Sequence, residues 1–140
     1  MTIQSISEIL TRVAGGDKVN GKARLLQKYD NATLRKILKY TFSPKVTFDL
    51  LPKGEPPYKP NDLVDQEGVL YHETRRLYLF TDGGNPDLKQ LRKEALFIEV
   101  LEAVAPADAK LLIGMKDKKL PEEYKGITKA VVEKAFPGLL

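Results

Sequence analysis

The sequence predicts an all-α fold, in which six or seven helices and one proline-rich loop form a single compact domain over residues 1–140. Three observations lead to this prediction. Apolar residues recur at spacings of three and four along most of the chain. Capping residues precede these segments, and Gly or Pro ends them. The chain has 140 residues, 42% hydrophobic and 30% charged, which suits one globular domain with its own core.

Three helices are predicted before the proline-rich loop. Ser5-Ile6-Ser7-Glu8 is a capping box that opens the first helix, and Gly15-Gly16 ends it. The second helix is expected from Asp17 or Asn20 to Tyr29, with Val19, Ala23 and Leu26 facing inward. Asn31 is a favourable N-cap for the third helix, which Ser43-Pro44 ends because a residue before proline avoids helical geometry.

The middle of the chain contains one clear loop and one ambiguous segment. Five prolines fall within residues 44–61, which predicts an extended loop rather than a helix. Val69 to Phe80 fits a helix by the spacing of its apolar residues, but its aromatic enrichment also fits a β-hairpin. The neighbouring helical segments favour the helix.

The last third of the chain again contains residues that typically begin and end helices. Asn85-Pro86-Asp87 is expected to open a helix, since it combines a cap, an early proline and an acid in the first turn. Pro106 begins a shorter helix, and a last helix begins near Gly126-Ile127-Thr128 and ends at Pro137-Gly138. The predicted common core contains Leu10, Leu26, Leu38, Leu91, Ile98, Leu112, Val132 and Phe136.

The recognised motifs of catalytic and metal-binding sites are missing from the sequence, although carboxylates are plentiful and His72 could act as a base. There is no cysteine, and one histidine, His72, cannot form a zinc site alone. No phosphate-loop, dinucleotide, zinc-protease or serine-hydrolase motif occurs. We therefore expect a protein that is not an enzyme and has no cofactor, metal or small-molecule substrate. No secretory signal or apolar membrane segment is apparent, so a soluble intracellular protein without membrane contact is expected.

Positive charge is concentrated toward the two ends of the chain. Residues 12–45 carry nine basic and two acidic side chains, and residues 110–140 carry seven and four. Residues 46–109 carry seven basic and twelve acidic side chains, so the net charge is only +4. Two basic ends folded onto one face would form a positive surface, although solvated helix faces would account for the same pattern.

Two short elements combine cations with glycine beside a predicted helix start. The first is Gly15-Gly16-Asp17-Lys18, with Lys22 nearby, and the second is Lys125-Gly126-Ile127-Thr128-Lys129. Free backbone amides, the helix dipole and ammonium groups all favour a phosphate at such positions. The candidate nucleic-acid-binding residues are Gly16, Lys18, Lys22, Lys125, Gly126, Thr128 and Lys129. The alternative interpretation of each element is a capped connector.

Both ends of the chain resemble a known domain. The chain is similar at both ends to the N-terminal helical DNA-binding domain of phage ATP-dependent DNA ligases. The similar segments are Ile6–Leu10, Gly15–Lys18 and Thr41–Pro44 at the start, and Lys125–Thr128 and Phe136–Leu140 at the end. The chain also resembles a family of small uncharacterised myovirus proteins, including cyanophage ones, that contain the motif found here at residues 115–121.

The resemblance implies an all-α domain whose helix-opening loops contact backbone phosphates across the minor groove. It assigns that role to Gly16, Lys18, Gly126, Thr128 and Lys129. One departure matters for activity: the ligases' nucleotidyl lysine lies in a K-x-D-G motif, and the single Asp-Gly of this chain, Asp82-Gly83, has Phe80 in the lysine position. Ligation by this chain alone is therefore not expected.

These observations lead to one functional hypothesis and a rival. We expect a noncatalytic phage accessory protein in the host cell cytoplasm that binds duplex nucleic acid through its phosphates, without reading the bases, and duplex DNA is the expected partner. The alternative is a protein-interaction module that binds a host or phage protein, or a structural component of the virion. The acidic middle of the chain favours the alternative, since dedicated DNA-binding proteins usually have a stronger basic bias.

Overall fold

Helices account for the regular structure throughout the described part of the chain. The computed structural model describes residues 6–48, 51–61, 69–82, 84–85, 87–124 and 126–140. It contains α1 (Ile6–Ala14), α2 (Lys18–Lys28), α3 (Ala32–Phe42), α4 (Val69–Glu73), a 3₁₀ helix (Thr74–Phe80), α5 (Gln90–Ala103), α6 (Pro106–Lys116), a second 3₁₀ helix (Glu122–Tyr124) and α7 (Lys129–Ala135). Within these ranges there is no strand, and the predicted all-α class is confirmed.

One hydrophobic cluster joins the two halves of the chain. α6 packs against α1, α3 and α5, while α2 packs against α1 and α7. The cluster contains six of the eight predicted core residues: Leu10, Leu26, Leu38, Leu112, Val132 and Phe136. The chain therefore folds around one core, with α2 and α7 bringing its two ends together.

Helix caps fix several of the boundaries. The Asn31 side chain accepts a hydrogen bond from the Leu34 amide at 2.8 Å, as the sequence predicts. Thr128 caps α7 through a longer bond, 3.4 Å from its Oγ1 to the Val131 nitrogen. The predicted capping box depends on Ser5, which lies outside the described residues. In α1, the buried Asp108 of α6 accepts a hydrogen bond from the Ser7 amide at 3.2 Å, so part of the cap comes from a distant helix.

The ambiguous segment is helical, as favoured, but it changes helix type midway. α4 covers one turn, and the 3₁₀ helix follows it directly at Thr74. The buried Thr74 hydroxyl donates to the Leu70 carbonyl at 2.7 Å and lies 3.0 Å from the Thr33 hydroxyl. Leu70, Leu77 and Phe80 are fully buried. The apolar and aromatic residues that resembled a hairpin thus serve the core of a helical segment.

The start predicted for the fifth helix is wrong. Asn85 opens a turn rather than a helix, since its side chain accepts from the Asp87 amide at 3.1 Å and its carbonyl accepts from the Leu88 amide at 3.1 Å. α5 begins only at Gln90. Asx turns and N-caps use the same side-chain geometry, which is why the sequence pattern fits both.

The face predicted to turn inward on α5, formed by Leu88, Leu91, Ala95, Ile98 and Leu101, is wrong at most positions, although Leu101 is buried as expected. Leu91 is 82% exposed and Ile98 is half-buried, whereas Phe97 and Val100 are buried. α5 has apolar residues on two sides, and a helical periodicity does not say which side meets the core. Val19, also predicted to face inward, lies in the first turn of α2 and is 43% exposed, whereas Ala23 and Leu26 on the same side of that helix are buried.

The proline-rich loop is not helical where it is described, and it is held in place by charged residues from the end of α6. Lys116 Nζ donates to the Pro52 carbonyl at 2.7 Å and to the Gly54 carbonyl at 3.0 Å. The Asp117 carboxylate accepts from the Gly54 amide at 3.1 Å and pairs with Lys116 at 2.6 Å. Both polar groups of the Gly54 backbone are therefore satisfied from one helix end.

Lys118 has a similar role at the start of the loop. Its Nζ donates to the carbonyls of Tyr40, Ser43 at 2.8 Å and Val46 at 2.6 Å. The Tyr40 carbonyl needs an outside donor because the residue four positions later is Pro44, which has no amide hydrogen. Burial lowers the pKa of the Lys118 ammonium. The motif at residues 115–121 thus joins α6, α3 and the loop.

Candidate nucleic-acid interface

The fold brings the two predicted phosphate-binding elements into contact. α2 lies alongside α7, so the turn before α2 and the turn before α7 lie at the same face of the molecule. Lys22 Nζ donates to the Gly126 carbonyl at 3.1 Å. At the other end of the pair, Gln27 Nε2 donates to the Ala135 carbonyl at 2.9 Å. We call the surface formed by residues 15–28 and 126–135 the α2–α7 face.

The two candidate glycines permit close packing at this contact. A Cβ on Gly16 would lie 3.0 Å from Leu25 Cδ1 and 3.1 Å from the Val13 carbonyl oxygen. A Cβ on Gly126 would lie 3.0 Å from Lys22 Nζ. Gly16 and Gly126 therefore have a local packing role whether or not a ligand is bound, and Lys22 is half-buried beside them.

The remaining described candidates lie at the surface of this face. Lys18 is exposed and has a positive φ of 56°, an uncommon backbone conformation for a residue with a side chain. Thr128 and Lys129 are exposed at the start of α7, where the Thr128 hydroxyl is occupied as the cap. Lys125 lies outside the described residues. Lys18 and Lys129 are thus the candidates whose charged groups are most accessible to a ligand.

The structure adds residues that the sequence interpretation missed. Asn20, Ala23, Arg24, Gln27 and Lys134 line a polar groove of about 270 Å³ between α2 and α7. Arg24 and Lys134 are both exposed and come from different helices. Their positions on the polar sides of two helices were visible in the sequence, but the pairing of α2 with α7, which places them in one groove, was not.

The α2–α7 face has an excess of positive charge. It carries six cationic side chains, Lys18, Lys22, Arg24, Lys28, Lys129 and Lys134, against two carboxylates, Asp17 and Glu133. That excess of four equals the net charge of the whole chain. Flexible ammonium groups and one guanidinium suit anions such as phosphates, which they bind without reading a base sequence.

The described residues also bear on metal binding and membrane insertion. Among the described residues, no group of three or more acidic or histidine side chains is arranged to hold a metal ion. No helix in the same part of the chain combines the length and apolarity needed to cross a membrane. The side chain of His72 lies outside the description.

Fold and site together define a small all-α domain with a basic face made by two helices. The chain belongs to a family of unknown function, DUF6433, whose model matches residues 9–122. No curated protein and no solved structure matches the chain. The matched range includes Lys18 and Lys22 and ends before α7, which supplies Thr128 and Lys129.

Proposed function

We propose that this protein binds duplex DNA through backbone phosphates at the α2–α7 face. The observation that carries the proposal is the contact between Lys22 and Gly126, which joins two basic elements 104 positions apart in sequence. The exposed Lys18 and Lys129 beside this contact would neutralise phosphates and release their counterions, and the exposed Arg24, Lys28 and Lys134 add positive charge on the same two helices. The proposal includes no base readout, because ammonium groups at helix ends position a protein on a duplex without specifying its sequence.

The wider biological role is part of the same proposal. In this account the protein is a noncatalytic phage accessory protein that acts in the host cell cytoplasm. The similarity of its two ends to the N-terminal DNA-binding domain of phage ATP-dependent DNA ligases supports this role. The absence of a K-x-D-G lysine in the sequence also favours binding over ligation.

Replacing the exposed lysines tests the site. We expect Lys18→Ala and Lys129→Ala each to weaken duplex binding roughly tenfold at about 50 mM salt, because each removes about one phosphate contact. The loss should be the same for duplexes of unrelated sequence. Fluorescence anisotropy with two labelled duplexes of equal length and different sequence measures both quantities.

Lys110→Ala is the matched control for these variants. Lys110 is exposed on α6, outside the α2–α7 face, and the substitution removes the same charge. We expect its affinity to stay within about twofold of the unmodified protein. Equal losses of affinity in all three variants would indicate a general charge effect and contradict a binding site at the α2–α7 face. A loss confined to one duplex sequence would contradict the phosphate-only mechanism.

A further inference from the structure

α5 has a second apolar face that points into solvent. Leu91 is 82% exposed, Ala95 is exposed and Ile98 is half-buried, and we call these three residues the outer stripe. Phe97 and Val100 fill the core from the other side of the helix. A surface helix usually needs only one apolar stripe, so a second one indicates an interaction surface.

The spacing of the outer stripe is that of a helix-pairing seam. Leu91, Ala95 and Ile98 are separated by four and then three residues, the alternation of the a and d positions in a coiled coil. A small residue at the centre lets two helices approach closely, and the larger residues lie on either side of it. The stripe therefore fits another helix lying along it.

The charged residues beside the stripe indicate which helix would pair with it and in which direction. Arg92 follows Leu91 directly, and Glu99 follows Ile98. In an antiparallel pair of α5 helices with the two-fold axis at Ala95, each Leu91 would face Ile98 of the other copy, and each Arg92 would lie beside the other copy's Glu99. Arg92 and Glu99 lie on the same flank of α5, and a two-fold pair brings the same flanks of both helices together only when the helices are antiparallel.

Both charged groups are accessible for such pairing. Arg92 is exposed, and the Glu99 side chain is 60% exposed although it lies 3.6 Å from Arg76 Nη2. An apolar groove of about 360 Å³ adjoins the stripe at Ile98, between α5 and the proline-rich loop. This groove widens the apolar surface beyond one row of side chains.

We propose that α5 is the contact between two copies of this chain, which pair antiparallel about a two-fold axis at Ala95. The contact is self-complementary, as a two-fold interface must be. It does not depend on DNA binding, because the main packing partners of α5 are α6 and the first 3₁₀ helix, whereas the basic face belongs to α2 and α7.

Sedimentation equilibrium over a range of protein concentrations, without DNA, tests the proposal. We expect a concentration-dependent monomer–dimer equilibrium for the unmodified chain. Leu91→Ser should raise the dimer dissociation constant by about tenfold or more, since it removes an apolar side chain that the dimer buries. Tyr78→Ser is the matched control because Tyr78 is 46% exposed on another element, and its dimer should be unaffected.

A charge swap tests the antiparallel direction. Arg92→Glu and Glu99→Arg should each weaken the dimer by about tenfold, and the double variant should restore it, because the pair is re-formed with its signs exchanged. Circular dichroism of each variant separates loss of pairing from loss of folding. A chain that stays monomeric at every concentration, or a double variant no better than either single one, would overturn the proposal. Loss of DNA binding with the dimer intact would contradict only the function proposed above.

Discussion

Lys118→Met is expected to lower the free energy of unfolding by about 2–4 kcal/mol. The ammonium group serves three backbone carbonyls, those of Tyr40, Ser43 and Val46, and methionine offers them no donor. The Ser43 carbonyl would keep the Val46 amide as a donor, at 3.3 Å. A buried acceptor that loses its partner costs about 1–3 kcal/mol, so the Tyr40 and Val46 carbonyls, with partial access to water, account for the expected loss of about 2–4 kcal/mol. The Tyr40 carbonyl is the most affected, since Pro44 cannot replace the lost donor.

Urea unfolding of the Lys118→Met and Lys119→Met variants measures the free energy of unfolding of each and compares the two. Lys119 is an exposed lysine next in the chain, so the same substitution there should change stability by less than about 0.5 kcal/mol. Equal stability of the two variants would mean that the Lys118 hydrogen bonds do not hold the loop against α3.

Phe136→Ala should cost about 3–5 kcal/mol through the cavity that it leaves. Phe136 follows α7 directly, is 6% exposed and belongs to the single core cluster. The Arg35 guanidinium lies 4.8 Å from its ring centre, so the variant also removes a cation–π contact between α3 and the end of α7.

Glu133→Ala is the control for this variant on the same helix. Glu133 is exposed and alanine favours helix, so stability should change by less than about 0.5 kcal/mol. A loss below about 1 kcal/mol for Phe136→Ala would show that the last helix contributes little to the core. The position of α7 in the α2–α7 face would then not be fixed by the packing of Phe136.

Local signals in the sequence were sufficient to predict much of the fold. The Asn31 cap, the proline at the start of α6 and the end of α3 before Pro44 each depend on neighbouring residues, and each appears in the structure. Of the eight core residues predicted from the apolar spacing, six belong to the core cluster. Such features are encoded within one or two helical turns, so they do not require knowledge of the tertiary fold.

The features that the sequence did not predict depend on contacts between residues that are far apart in the chain. Lys118 bonds to carbonyls more than 70 positions earlier, and nothing in its own neighbourhood indicates this. The buried face of α5 was misassigned because both of its sides are apolar. At the candidate site, the glycine and lysine elements were visible in sequence, but the groove with Arg24 and Lys134 exists only because α2 pairs with α7.

The salt dependence of duplex binding tests the central claim most directly. If Lys18 and Lys129 each neutralise a phosphate, the logarithm of the association constant should fall linearly with the logarithm of salt concentration, with a slope of about −2 or steeper. Lys18→Ala and Lys129→Ala should each reduce that slope by about one unit, and Lys110→Ala should leave it unchanged. Tight binding that ignores salt, or no binding at tens of micromolar protein in about 50 mM salt, would contradict a phosphate-binding α2–α7 face.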